Sequence, residues 1–151
     1  MASEIIETLA KSNGPDAKAT TDMKNNAAFY LTVVPGATHE QCQQAIAWAR
    51  EIVAQKPEID TYRNSLGVAL YRVGEWEEAK SNLESSIQLS GGGGDPTDRF
   101  FLAMIEHHQK RIDSAKLMLN DAENWLQQNQ STARHLPSVR AEATELIQGS
   151  D

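Results

Sequence analysis

Three stretches of the chain open on a small residue and then carry apolar side chains every three or four positions, the spacing of an amphipathic helix. They are QAIAWAREIVAQKP (44–57), EEAKSNLESSIQLS (77–90) and DSAKLMLNDAENWL (113–126). Their leading alanines, Ala45, Ala79 and Ala115, are 34 and then 36 residues apart, and the two extra residues fall at Gly91–Gly94. A helix of matching pattern precedes the second and third stretches. TYRNSLGVALYRVGEW and TDRFFLAMIEHHQKRI place Leu66-Gly67 and Leu102-Ala103 in the same relative position. Gly67, Ala79, Ala103 and Ala115 would let antiparallel helices approach closely, with Leu66, Leu70, Leu83 and Ile87 filling the space between them.

The punctuation agrees with helical pairs. Thr38 and Gln41 have capping-box spacing ahead of the helix that carries Ala45, and Pro57 follows its end. Gly74 can take the left-handed conformation that stops one helix before Trp76 opens the next. Asp95-Pro96 offers an N-cap with proline behind it, and Asp113 is a candidate cap for the following helix. In the first repeat, the leading helix lies near KNNAAFYLTVV (24–34), separated from Ala45 by a longer loop containing Pro35-Gly36. After Trp125 comes a polar stretch. A last helix then runs from about Pro137 to Gln148, with Val139, Ala143, Leu146 and Ile147 in one stripe. The expected organisation is all-α. Residues 1–20 form a flexible segment or short helix, with SNGPDAKATT as a linker, and 21–148 form one domain. Within it the repeats span about 21–57, 58–92 and 95–128, closed by a cap over 137–148.

Composition narrows the function. The chain has 151 residues, enough for one domain, and a formal net charge of −7. No Lys/Arg cluster offers a phosphate-binding patch, which argues against nucleic acid and against an anionic membrane surface. No apolar run approaches the roughly 20 residues that cross a bilayer. The N-terminus lacks the pattern of a secretory signal, and Cys42 is the single cysteine, so a cytoplasmic setting is expected.

These residues resemble the tetratricopeptide repeat (TPR) family, whose period is 34 residues. The likeness covers residues 22–148. The second repeat has Leu-Gly, Leu-Tyr, Gly-x-Trp and Ala in the family's places, while Arg63 and Ser86 depart from it. The combination NNAAFYLTVVP, NSLGVALYRVGEW and RFFLAMIEHH is similar to repeats of planctomycete-type bacterial proteins, often attached to serine/threonine kinase or other signalling domains. No kinase motif occurs here. The resemblance implies a right-handed superhelix of about three helix-turn-helix repeats plus the C-terminal cap. It also implies a scaffold or adaptor that holds a protein or peptide in a concave groove. Carried over residue by residue, the groove wall would comprise Asn25 and Phe29, then Asn64, Val68, Tyr71 and Arg72, then Phe100, Met104, His107 and His108. The positions of the family's carboxylate clamp fall on Asn25, Phe29, Ser65, Thr97 and Phe101, which contain no cation, so binding of that kind is not expected.

Other chemistry was weighed on the residues. Adjacent helical residues His107 and His108 point about 100° apart and make a poor metal pair, even with Glu106 beside them. Cys42 has only glutamines for neighbours and reads as a surface or half-buried thiol. His39 and His135 read as exposed. Glu77-Glu78 suit a helix N-terminus. Gly91–Gly94 lacks the Lys-Ser/Thr ending of a phosphate loop. No catalytic, metal or cofactor site is therefore expected. Trp48, Trp76 and Trp125 sit on second helices, either as packing residues or as an aromatic patch for self-association. The alternative to an adaptor is an oligomerisation domain, a homodimer, with its groove filled by another copy or by the chain's own N-terminal segment.

Overall fold

The computed structural model describes residues 17–149, which form seven α-helices: α1 Ala17–Thr32, α2 His39–Gln55, α3 Asp60–Arg72, α4 Trp76–Leu89, α5 Thr97–His108, α6 Ile112–Asn129 and α7 Leu136–Gln148. The described residues contain no strand. The all-α reading holds, and no helix among them is long and apolar enough to cross a membrane. α1 begins earlier than expected. Residues 17–21 of the supposed linker are helical, since nothing after Pro15 breaks the helix. Residues 1–16 lie outside the described part.

Local chemistry sets most of the ends. Thr38 caps α2 in a full capping box, its Oγ1 accepting from the Gln41 backbone N–H while the Gln41 side chain accepts from the Thr38 N–H. α2 stops at Gln55, just before Lys56-Pro57, and Gly74 ends α3 with φ +80°. Asp95 Oδ1 accepts the Thr97 backbone N–H at 2.9 Å, but α5 opens one residue later than the sequence suggested, with Pro96 rather than Asp95 at its N-cap position. Asp113 does not cap α6. The N-cap position is Arg111, two residues earlier, and the helix opens at Ile112, which leaves Asp113 inside the first turn.

Each helix packs on the next, and the odd-numbered helices also touch in turn: α1 on α3, α3 on α5, α5 on α7. The backbones of the even-numbered helices α2, α4 and α6 stay apart from one another, and Arg50 of α2 reaches across to fork onto Glu78 of α4 at 2.8 and 2.9 Å. The anchors Ala45, Ala79 and Ala115 are completely buried, each on an even-numbered helix. Gly67 shows why small residues were needed: a Cβ placed there would lie 2.6 Å from Leu83 Cγ. Leu66, Leu70 and Leu83 fill the core and Ile87 packs at its edge. α7 contributes Leu136, Val139, Ala143 and Ile147 to the same core, with Leu146 partly buried beside them.

Cys42 is a correction. It is buried, and burial pushes its thiol pKa up, since an apolar setting penalises the thiolate. Glu106 is also buried. It ties three elements together, accepting from Lys80 of α4 at 2.9 Å and from Arg111 ahead of α6 at 2.5 Å. The Arg111 hydrogen bonds, outweighing the cost of burial, hold its carboxyl down to about 2.

Candidate functional site

The ten residues assigned to a groove wall divide into two sets. Phe29, Asn64, Val68, Tyr71, Phe100 and Met104 are buried; Val68, Phe100 and Met104 have no exposed surface at all. Asn25, Arg72, His107 and His108 are half-exposed. For these six the structure corrects the expectation: α3 and α5 each touch four other helices and keep no free stripe on those faces, and Phe29 of α1 is covered by His135. Asn25 is engaged as well, its Oδ1 accepting from the Ser65 hydroxyl at 2.7 Å.

Arg72 is a hub between helices rather than a reader of ligand. Its Nε donates to the Thr32 carbonyl at 2.6 Å and its Nη2 to the Val33 carbonyl at 3.0 Å, satisfying acceptors that the end of α1 leaves open. Nη1 and Nη2 make a fork to Glu142 of α7 at 2.5 and 2.9 Å. The guanidinium carbon also lies 5.2 Å from the centre of the Tyr71 ring and 5.3 Å from that of Phe101. One side chain thus joins α1, α3, α5 and α7. His135, at the entry to α7, packs edge-on against Phe29 at 5.0 Å and lies 3.4 Å from Asp95, so it is not the exposed residue the sequence suggested. His39 is exposed as expected.

Beside this hub lies an aromatic cluster. The Trp76 and His108 rings stack in parallel, 4.4 Å apart, and the Tyr71 hydroxyl is 3.0 Å from His108 Nε2. Burial, then the Glu142 charge, push the Tyr71 pKa up. Burial, then His107 and Lys110, push the His108 pKa down. Both groups are neutral near pH 7, and their hydrogen bond is structural. Glu106, which made a metal reading of the two histidines worth weighing, is occupied by Lys80 and Arg111.

The gap between α4 and α6 is different in kind. Because those helices do not touch, they leave a cleft of about 330 Å³ lined by Ile87, Leu102, Met118, Ala122 and Trp125, with Arg99 and Asp121 at its rim. The Arg99 guanidinium lies 4.1 Å over the Trp125 ring. An apolar trough with one tryptophan and one arginine has the composition of a protein-binding hot spot. A larger depression of about 480 Å³ at the α6–α7 turn is walled mainly by exposed loop residues such as Gln130, Ser131 and Thr132. All three tryptophans are half-buried, and none stands out as an exposed patch.

Glu142 and Arg99 were not among the residues expected to matter, and Trp125 was expected only in packing or self-association. Trp125 had a sequence signal, an aromatic on a second helix. Glu142 had none, since its partner lies 70 residues away. No protein-family model matches the chain, and no curated protein matches it.

Proposed function

We propose that this chain is a TPR-like right-handed superhelix of about three helix pairs plus a terminal cap, and that it serves as a protein- or peptide-binding scaffold. The repeat architecture is supported by the burial of Ala45, Ala79 and Ala115 at near-regular spacing. It is also supported by close backbone approach of successive odd-numbered helices, which the even-numbered helices do not share. A connection to signalling rests on the resemblance. The binding surface, in this reading, is not the inner wall, which Arg72 and Glu142 fasten shut, but the α4–α6 cleft. The observation that carries it is the open apolar trough with Arg99 stacked on Trp125. With a net charge of −7, a neutral or basic partner segment fits best.

The test is capture of binding proteins by the immobilised full chain, with two variants alongside. A partner retained by wild type and by Glu142→Gln, but lost from Trp125→Ala, supports the cleft. Loss with Glu142→Gln and retention by Trp125→Ala returns the site to the inner wall. If nothing is retained and light scattering shows a concentration-dependent dimer sensitive to Trp125→Ala, the chain is an oligomerisation domain instead.

A further inference from the structure

Asp98 stands apart from every other carboxylate described. It has no exposed surface and sits in the first turn of α5, where α3, α4 and the Gly91–Gly94 turn converge. Asn64 Nδ2 of α3 donates to its Oδ1 at 2.5 Å, while Oδ2 has no hydrogen-bond partner among the described residues. A charged carboxylate is acceptor-only, and here Asn64 and Ser86 compensate it only in part. Arg99, the adjacent cation, turns its guanidinium to the Gly92 and Gly93 carbonyls and to Trp125. α3 presents Asn64, α4 presents Ser86, and the turn presents Asp95, which is an added negative charge already engaged by Thr97 and His135. Burial is the largest cause of a pKa raised to about 7, with Asn64 and Ser86 opposing it and Asp95 adding to it.

We propose that Asp98 is a proton-operated clasp between the second and third helix pairs. Uncharged, it closes the junction of α3, α4 and α5; when its proton leaves to water, the buried charge favours opening of the Gly91–Gly94 turn. Gly91, Gly92 and Gly94 all hold positive φ and can rearrange at little backbone cost, so the Arg99 hydrogen bonds to the Gly92 and Gly93 carbonyls are what hold the turn closed. Arg99 links the turn to the α4–α6 cleft by bonding its carbonyls and stacking on Trp125, so the clasp also governs the shape of that cleft.

The sign follows from linkage. A carboxyl whose folded pKa is raised contributes stability that is complete below the unfolded value of 3.8. It is lost as pH rises to about 7 and is constant above that. The experiment compares urea unfolding of the full wild-type chain and Asp98→Asn at pH 5, 6, 7 and 8. The ratio of their folding constants should shift against wild type by up to about tenfold per unit between pH 5 and 7, then level off. A ratio independent of pH overturns the proposal. Should Asp98→Asn fail to fold, carboxyl-carbon NMR of wild type replaces it: an Asp98 midpoint near 7 supports the clasp, and one below 5 overturns it. Hydrogen exchange, corrected for base catalysis, should rise with pH over residues 91–100 and not over 45–53. A uniform rise overturns the local opening.

Discussion

Gly67 sits where two helices of the core press closest on a missing side chain, α3 on α4. Its substitution by alanine would drive a methyl to 2.6 Å from Leu83 Cγ and 3.2 Å from the Ala79 carbonyl. Leu83 is wholly buried and has little room to turn, so Gly67→Ala should cost about 1–3 kcal/mol in urea unfolding despite alanine's better helix propensity. Arg72 illustrates a different dependence on shape. Arg72→Lys keeps the charge but cannot fork to Glu142 while reaching the Thr32 and Val33 carbonyls. A loss of about 2 kcal/mol is expected, since hydrogen bonds to charged groups are each worth about 1.5–3 kcal/mol and lysine keeps part of the set. For the same reason a combined Tyr71→Ala, Arg72→Ala change would loosen the fold and is a poor probe of ligand contact. Glu106 should show in the acid limb. Its folded pKa is lowered to about 2 from 4.5, so its contribution is present above 4.5 and fades as pH falls towards 2. Glu106→Gln should flatten that limb in a pH series of thermal melts.

The helices depend on their ends as well as their faces. Thr38→Ala removes one half of the α2 capping box, and about 1 kcal/mol should be lost, read as a lower thermal midpoint. α7 is held more broadly, by Val139, Ala143 and Ile147, all without exposed surface, and by Glu142 on Arg72. Ile147→Ala should therefore cost about 2–5 kcal/mol, the range for deleting a buried isoleucine. Hydrogen exchange would show that loss spreading into α5 and α6, the helices against which α7 packs. Helix existence was legible in the sequence from the three- and four-residue spacing. Three ends were not: the start of α1, the start of α6, and the reach of α6 to Asn129 through the polar run after Trp125. In each case no residue type marks the boundary, and at both ends of α6 the residues concerned, Ile112 and residues 127–129, are exposed.

Across the whole molecule, the contact order of the helices leaves two unlike surfaces. The faces of α3 and α5 expected to form a groove are consumed by packing, whereas α4 and α6 stand apart over Leu102. If the cleft is the binding surface, Trp125→Ala should weaken a captured partner at least tenfold with helicity unchanged. A central aromatic anchor typically contributes 2 kcal/mol or more. Surface plasmon resonance against the captured partner would measure this, and circular dichroism would check the fold. Equal affinity for the two chains would remove the cleft from consideration.

The sequence by itself determined that the chain is helical, where small residues permit close approach, and which side chains have the spacing of a core. These are local properties, written in periodicity, caps and glycine placement. Only the tertiary structure decided which aromatic and polar residues stay available. Tyr71, Met104 and Phe100 have the same helical spacing whether they face a ligand or another helix. Arg72 meets Glu142 across 70 residues, and Asp98 meets Asn64 across 34, distances over which a single sequence carries no pairing signal. Whether a face is wall or interior depends on how many helices press on it, and that number exists only once the chain has folded.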